Sequence, residues 1–355
     1  MSKEMKMTVN KLPARTWNWL KMNEASASVA PKPAQEDYGR RLHANEKRAE
    51  IRYHLAKEEE QQIYNKIETA LGKDMDKLGE EILPAVLECR DSEEIVLDLT
   101  PEGNYGRYFL YAKKDQEMNL AVYCHPKAEE DADSPFYLQL KIYAEAGAKV
   151  NLAVIQTMNK NTKVFSDIGG LLEENAAVDL VKMELGGSRV YSGAYMDLKG
   201  ARSSFKAHIG YLGEKEQHLD MNYVVCHHGK KTESLMESSG VLNDNAFKLF
   251  RGTIDFIKGC PGSVGNEKED VLLLGEDVVN QTIPLILCAE EDVEGNHGAS
   301  IGELDEKTLF YLMSRGFTEE SAKKMIARAR LDAVAAMIKE SSVREKTLKY
   351  LEERQ

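Results

Sequence analysis

The stretch FYLQLKIYAEAGAKVNLAV, residues 136–154, contains the pattern that decides the fold. Apolar residues alternate with other residues on both sides of a central turn: Phe136, Leu138, Leu140 and Ile142 before it, and Val150, Leu152 and Val154 after it. A period of two residues is typical of a β-strand with one buried face. The residues between the two runs, 145–148 (EAGA), include a glycine and indicate a tight turn. The stretch therefore predicts two short strands joined by a turn.

Similar units recur further along the chain. Polar turns followed by apolar segments occur at 174–177, 199–201, 243–246, 275–278 and 290–293. Their spacing falls mostly between about 15 and 30 residues, the range of solenoid repeats. Because no long helical pattern alternates with these strands, a doubly wound α/β fold is disfavoured. A β-sandwich, a barrel and a parallel β-helix all fit short strands, and the recurrence of one turn with one strand favours the β-helix.

Helical patterns flank this central region. Between residues 63 and 71 an apolar residue recurs at every fourth position, as one buried helix face requires. After residue 302, Asp305 and Thr318 stand where helix caps are expected, and Gly316 stands where the first of the two helices should end. We therefore predict a mainly β protein with three parts: an N-terminal helical region at 1–94, a parallel β-helix core at 95–301 and a C-terminal helical domain at 302–355.

The composition narrows the classes of function. Apolar residues make up 42% of the chain, charged residues 30%, and the formal net charge is −12. Nucleic-acid binding rests largely on Lys and Arg that neutralise phosphates, so no nucleic-acid partner is expected. No stretch approaches the ~20 consecutive apolar residues that span a bilayer, and the charged start has no signal-peptide core. These features predict a cytoplasmic protein with no membrane partner.

Motifs for nucleotide binding and nucleophilic catalysis are missing from the sequence. It contains no G-x-x-x-x-G-K-[ST] loop, and GCPGSVG at 259–265 lacks the strand-to-helix context of a phosphate cradle. A G-x-S-x-G nucleophile elbow does not occur either. The chain is therefore expected not to be an enzyme and not to hydrolyse ATP itself.

The five cysteines are widely spread and form no C-x-x-C pair, which argues against a disulfide framework or a closed zinc site. Cys226 and His228 are candidate metal ligands, because residues two apart on a strand share a face. The alternative is a Cys226 packed inside and histidines that are hydrogen-bonded or solvated. Cys260 and Cys288 are further candidate thiol ligands, although the apolar run at 283–288 favours a packed core thiol for Cys288.

His297 stands in GNHGAS, residues 295–300, where the strand region meets the C-terminal helices. A neutral imidazole at this point could bind iron or move protons near neutral pH. A turn histidine that hydrogen-bonds the local backbone is the alternative, and the sequence leaves both open.

Three segments resemble one known family. LFRGTID at 249–255 is similar to the "FRG" strand of SufB and SufD proteins, and GNHGASIG at 295–302 is similar to their "HGAT-x-G" turn. LDEKTLFYLMSRG at 304–316 resembles the helix that follows in that family. The chain is thus similar to the SufB/SufD family of the SUF iron–sulfur cluster assembly system, most clearly over residues 242–326.

The resemblance implies a fold and a set of partners. The fold would be a right-handed parallel β-helix between N-terminal and C-terminal helical domains, which agrees with the three parts described above. The partners would be a SufB-like paralogue, paired through the β-helices, and a SufC-type ABC ATPase. The ATPase would dock on the C-terminal helical region, where the implied contact residues are Asp305, Phe310, Tyr311, Arg315, Thr318 and Met325.

The subtype implied is SufD rather than SufB. Matching back from His297, the position of the critical SufB cysteine is Glu269 here, and that of its glutamate is Gly298. His297 matches the SufD histidine at the interface, so the resemblance implies a cluster-proximal role for it. The cysteine that some SufD proteins have near this histidine is replaced, by Gly295 in our matching. The chain is then expected to bind no cofactor stably by itself, with a transient iron–sulfur cluster in the complex.

Two other functions remain as alternatives. One is a SufB-like scaffold that works as a homodimer with SufC. The other is a β-helical carbohydrate-active enzyme, since solenoids also carry polysaccharide clefts. Such enzymes are often secreted, and the start of this sequence has no secretion signal.

Overall fold

The structure is a computed structural model that describes residues 5–16, 18–29, 49–52, 55, 58–80, 82–89, 94–100, 105–126 and 135–354. The first elements are β1 (Met5–Val9), a short 3-10 helix (Asn18–Leu20), β2 (Ala25–Val29), β3 (Ala49–Arg52), α1 (Glu58–Lys66) and α2 (Lys73–Leu78). A solenoid of short strands follows and forms two long sheets, which are parallel throughout except that β3 joins the edge of one of them antiparallel to its neighbour.

The solenoid places alternate strands in alternate sheets. Sheet I contains β3 and β4 (Ala85–Cys89), β6 (Tyr105–Ala112), β8 (Phe136–Ala144), β10 (Lys163–Leu172), β12 (Arg189–Leu198), β14 (His218–His227), β16 (Phe247–Phe256) and β18 (Val279–Cys288). Sheet II contains β5 (Glu94–Leu99), β7 (Glu117–Cys124), β9 (Lys149–Gln156), β11 (Ala177–Glu184), β13 (Ser204–Gly213), β15 (Glu233–Leu242), β17 (Ser263–Leu273) and β19 (Val293–Gly302). The prediction of a parallel β-helix is confirmed, and the sandwich and the barrel are wrong.

The register explains how the core is built. Leu140 pairs with Ile168, Ile168 with Ala194, and Ala194 with Tyr223, so side chains of successive turns stack in rows. Paired positions in a parallel sheet point to the same face. The inward rows of both sheets meet in one buried apolar core that runs through the solenoid. Each turn therefore buries its neighbours, as a solenoid requires.

The corners between strands are the turns expected from the sequence. Gly147, Asn175 and Asp244 adopt positive φ angles of 74°, 58° and 55° at three of them. Glycine and asparagine or aspartate tolerate this left-handed conformation best. At Gly147 a side chain is also excluded by contact, because an added Cβ would lie 2.1 Å from Asp115 Oδ1.

The N-terminal segment covers the outer face of sheet I. The antiparallel pair β1–β2 and helix α2 pack with Tyr137, Phe165 and Tyr191, whose rings stack along the sheet with centroids 4.9 and 5.1 Å apart. Helices α1 and α2 lie in the region expected to be helical, but that region also contains strands β1 to β4. The parallel sheet begins at Ala85 rather than at residue 95. Pro84 directly precedes β4, a position where proline removes no ladder hydrogen bond.

Three helices follow the solenoid: α3 (Glu306–Ser314), α4 (Glu319–Ala335) and α5 (Ser341–Glu353). The side chains of Asp305 and Thr318 accept hydrogen bonds from the backbone N–H of Thr308 and Ser321, so both predicted caps are confirmed. Helices α4 and α5 and the connection between them pack against the outer face of sheet II through Leu331, Val334, Ile338, Val343 and Leu351. Within the described part of the chain, none of the helices combines the length and apolar character needed to cross a bilayer.

Candidate functional site

The last turn of the solenoid, β18 and β19, forms an open end. These two strands are the terminal members of their sheets, so one backbone edge of each is not paired within the described chain. The side chains of β19 are almost all exposed, and Ile286 and Ile301 are 37% and 44% exposed. Free strand edges and exposed apolar side chains at the end of a solenoid favour association with another surface.

His297 lies on this open end and faces its mouth. Two residues earlier, an added Cβ at Gly295 would lie 3.0 Å from the Phe256 ring and from Ile286, so position 295 faces inwards. His297 shares that face because side chains alternate along a strand. In the register it pairs with Glu267 of the preceding turn. The imidazole therefore lies in the same inward row of side chains as the buried carboxylate of Glu267, one turn further along the solenoid.

Beneath the open end lies a polar cluster inside the solenoid. Lys248 Nζ lies 2.5 Å from Glu269 Oε1, and Thr282 Oγ1 donates to Glu269 Oε2 at 2.7 Å. Tyr211 Oη also donates to Glu269 Oε1, at 3.1 Å. Burial lowers the pKa of Lys248, against the opposing effect of Glu269, and burial raises the pKa of Tyr211. Glu269, the position that the resemblance matched to the SufB cysteine, is thus a carboxylate in a buried ion pair.

Glu267 is the least satisfied member of this interior. It is 5% exposed, and among the described residues its Oε2 atom has no hydrogen-bond partner. Burial, and then the charge of Glu269, raise the pKa of Glu267 to about 7. The carboxylate has room only because residue 252 is glycine, since a Cβ there would lie 2.2 Å from Glu267 Oε1. The glycine of the LFRGTID segment therefore has a steric role.

Lys248, Glu267 and Tyr211 belong to this site but were not predicted from the sequence. A signal for one of them existed: Glu267 and Glu269 flank Lys268 at alternate positions of a strand, so two carboxylates share one face. Which face points inwards was not visible in that pattern. Lys248 and Tyr211 come from other turns and carry no local signal.

Arg251, the arginine of the same segment, faces the opposite side of sheet I. It is fully buried, donates from Nη1 to Asp220 Oδ1 at 2.6 Å and from Nε to the carbonyl oxygen of Met22 at 2.7 Å. Asn10 Nδ2 also donates to Asp220 Oδ1, at 2.6 Å. This network holds the N-terminal segment on the solenoid and lies away from the open end.

Cys226 and His228 lie together near the outer face of sheet I. Cys226 Sγ donates to Tyr195 Oη at 3.1 Å, and His228 Nε2 lies 3.4 Å from Asp197 Oδ1. Burial raises the pKa of the Cys226 thiol to about 12, which disfavours the thiolate that metals bind. Cys226 is buried, as one alternative had it, but on the outer side of the sheet; the side chain that points into the solenoid is His227, hydrogen-bonded to Thr232 and Ser234.

The other candidate thiols lie elsewhere. Cys260 is buried at a corner, where burial raises the pKa of its thiol. The expectation that Cys288 is a packed core thiol is wrong: it is exposed, with its Sγ donating to the carbonyl oxygen of Glu290 at 2.9 Å. Its apolar strand is the last of sheet I, so no further turn covers it. Among the described residues, no three Cys, His, Asp or Glu side chains converge closely enough to hold a metal ion.

The family model for the SUF system FeS cluster assembly, SufBD core domain, matches residues 96–330. The chain belongs to the SufBD family. The resemblance of its motifs to SufB and SufD proteins is thereby confirmed at the level of the family.

Several curated proteins are similar to this SufBD chain. An iron–sulfur cluster assembly SufBD family protein of Mycobacterium bovis is 27% identical over 249 residues, which cover 69% of this chain and 28% of that protein. The iron–sulfur cluster assembly protein SufD of Bacillus subtilis is 26% identical over 258 residues, 62% of this chain and 58% of that protein. SufB of the same organism is 26% identical over 187 residues, 53% and 40% respectively. The chain spans less than two thirds of the length of each of these relatives.

Helices α3 and α4 form a second exposed surface of this SufBD chain. Phe310 and Tyr311 are 74% and 55% exposed, and the Arg315 guanidinium lies 5.1 Å from the Tyr311 ring centroid. Met325 on α4 is partly exposed as well. We call this surface, made of Phe310, Tyr311, Arg315 and Met325, the helical patch. Asp305 and Thr318, also named from the sequence, cap the helices and so shape the patch.

Proposed function

We propose that this chain is a SufD-like scaffold subunit of the SUF iron–sulfur cluster assembly complex, without enzymatic activity of its own. It would pair with a SufB-like paralogue through the open end of its solenoid. A SufC-type ABC ATPase would dock on the helical patch and supply the nucleotide energy for which this sequence has no P-loop. We place the complex in the cytoplasm.

The open end carries this proposal. Both sheets end in unpaired strand edges beside exposed apolar side chains, and a parallel solenoid is stable in water only when such ends are capped. The chain otherwise covers both outer faces, sheet I with its N-terminal segment and sheet II with α4 and α5. The last turn has no such cover among the described residues, and we assign the partner to it.

Two positions favour SufD over SufB. Glu269, which the resemblance matches to the SufB cysteine, has no thiol to bind a cluster, and its carboxylate is committed to a buried contact with Lys248. Gly298 stands at the position of the SufB glutamate and has no side chain to act as a ligand. The iron–sulfur cluster, as cargo of the complex, would then depend on residues of the partner.

His297 is the residue of this chain that we assign to the neighbourhood of that cluster. It is exposed at the mouth of the open end, and imidazole is a common ligand for iron. The candidates Cys226, His228 and Cys260 lie away from the last turn, so we assign them no role in the transient cluster. Cys288 lies on the last turn and stays a candidate.

The helical patch is the proposed ATPase contact. Exposed aromatic and Met side chains beside an arginine are the residue types that concentrate in protein interfaces. Because α3 packs on α4 and α4 packs on sheet II, movement of a docked ATPase would be transmitted to the solenoid through α4.

Co-purification from the native host tests the proposal. The tagged chain should recover a SufB-like and a SufC-like protein. Ile286→Asp together with Ile301→Asp should release only the SufB-like partner, and Phe310→Ala together with Tyr311→Ala should release only the ATPase. Recovery of neither protein by the wild type would refute the proposal.

Anaerobic reconstitution of the recovered complex tests the role of His297. His297→Ala should reduce the amount of cluster formed while both partners stay bound, as measured by absorbance and size exclusion. Asn296→Ala, one residue away in β19, is the matched control. Equal cluster content in the two variants would contradict the assignment.

A further inference from the structure

The last turn of the solenoid is strongly acidic. Residues 275–303 contain seven carboxylates and neither lysine nor arginine, a formal charge of −7. More than half of the net charge of −12 is therefore placed in this one turn and its flanks. The seven acids are Glu276, Asp277, Glu290, Glu291, Asp292, Glu294 and Glu303.

Four of these acids are exposed at the two corners of the last turn. Glu276 and Asp277 are exposed at the corner between β17 and β18, and Glu291 and Asp292 are exposed at the corner between β18 and β19. The nearest cation inside the solenoid, Lys248, is already paired with Glu269. The open end thus combines exposed apolar side chains with two acidic corners, which we call the acidic rim.

We propose that the acidic rim selects a different chain with basic corners at its own end, and disfavours a second copy of this chain. This rests on the proposed function, in which the open end is an interface. Apolar contact would attract either partner alike, whereas charge distinguishes them. A second copy would bring another rim of the same sign to the interface, and charges less than a Debye length of about 8 Å apart are only partly screened at physiological salt.

The preference for a different chain over a second copy determines whether the scaffold is a heteromer or a homodimer. Complementary charges across an interface mainly set specificity and association rate, and like charges exclude wrong partners. The acidic rim therefore determines which partner binds, and the apolar side chains of the last turn provide the apolar surface that is buried on binding. Salt should weaken the correct pair and relieve the repulsion between identical copies.

The experiment uses the full chain and a variant of itself as the probe. In the basic-rim variant Glu276, Asp277, Glu291 and Asp292 are all replaced by lysine. Mass photometry should find the wild type monomeric at about 50 mM salt and more self-associated at about 500 mM. An equimolar mixture of wild type and basic-rim variant should form mixed dimers at low salt, at least about tenfold tighter than either protein with itself.

Matched controls separate local charge from net charge. A control variant with lysine at Glu80, Glu233, Glu345 and Glu352 has the same change in net charge on exposed positions away from the open end. It should not pair with the wild type. A neutral-rim variant, with Gln or Asn at the four rim positions, should self-associate at low salt. It tests the repulsion between acidic rims even if the lysine substitutions impair folding.

The outcomes distinguish this inference from the proposed function. Tight, salt-independent dimers of the wild type, or equal pairing by the control variant, would overturn the role of the acidic rim. Adding Ile286→Asp to the wild type should abolish mixed dimers. If it has no effect on them or on capture of the SufB-like protein, the open end is not the interface and the proposed function fails as well.

Discussion

Replacement of Gly252 by alanine is expected to destabilise the solenoid next to its open end. A Cβ at this position would lie 2.2 Å from Glu267 Oε1 and 2.3 Å from its Cδ. The carboxylate is buried and shares the interior with Glu269, so it has little space into which to move. Overpacking of this kind costs about 1–3 kcal/mol, and we expect Gly252→Ala to lower the free energy of unfolding by about 2 kcal/mol.

Two further variants isolate the cause. Gly298→Ala is the matched control, since an added Cβ there meets nothing within 4 Å, and it should change stability by less than about 0.5 kcal/mol. Glu267→Ala removes the side chain that the new methyl group strikes. The double variant Gly252→Ala/Glu267→Ala should therefore recover most of the loss, with a coupling energy of about 1–2 kcal/mol.

Urea unfolding followed by circular dichroism measures these differences, provided that the slope with denaturant is the same for all variants. Because solenoid turns can unfold separately, hydrogen exchange of β16 and β17 amides gives a local measurement. The steric explanation is refuted if Gly252→Ala is as stable as Gly298→Ala, or if the double variant is no more stable than Gly252→Ala.

Three other variants test the buried polar groups. Lys248→Met should lower the free energy of unfolding in urea by about 3–5 kcal/mol, because it leaves Glu269 buried without its partner. If that reason is right, changing Glu269 to Leu as well should restore the stability; no restoration would contradict it. Glu267→Gln should flatten the pH dependence of stability. The pKa of Glu267 in the folded protein is raised from 4.5 to about 7, so the stabilisation from its protonated form is fully present below about pH 4.5 and is lost as the pH rises through about 7. An unchanged profile of melting temperature between those values would show that Glu267 does not titrate this way. Arg251→Lys should lower the free energy of unfolding by about 2–4 kcal/mol and increase hydrogen exchange in β1 and β2, because lysine cannot reproduce the two hydrogen bonds to Asp220. If the amides of β1 and β2 stay as protected as in the wild type, Arg251 does not hold the N-terminal segment on the solenoid.

The open end makes the two ends of the chain's solenoid structurally different in composition and cover. The turns between the first and the last are covered on both sides by neighbouring turns, and the terminal segments cover the outer faces. The last turn keeps its apolar residues, His297 and the acidic rim exposed together. A surface that is apolar at its centre and charged at its rim has the usual anatomy of a protein–protein interface.

Much of the architecture followed from local patterns. The alternation in 136–154 predicted β8 and β9, and the polar turns predicted the corners with residues such as Gly147. The caps at Asp305 and Thr318 were also predicted correctly, because a cap bonds to a backbone N–H only three residues away. These features depend on neighbours along the chain, which a single sequence displays directly.

The predictions from the sequence were wrong where the burial or pairing of a residue depends on distant parts of the chain. The apolar run around Cys288 has the composition of a core strand, but it lies at the end of sheet I, where no turn follows to cover it. Strand β4, which begins at Ala85, was assigned to the N-terminal region, because its place in the solenoid depends on a partner strand about twenty residues away. Its partner β6 identifies it as part of the solenoid.

The sequence by itself determined the strand period, the corners, the helix caps, the family motifs and the charge of the last turn. Only the tertiary structure decided that Gly252 faces Glu267, that Lys248 meets Glu269, and that His297 lies above them at the open end. The physical reason is that a solenoid brings together residues one whole turn apart. Those contacts follow from the register between strands and from which face points inwards, and neither is encoded in local spacing.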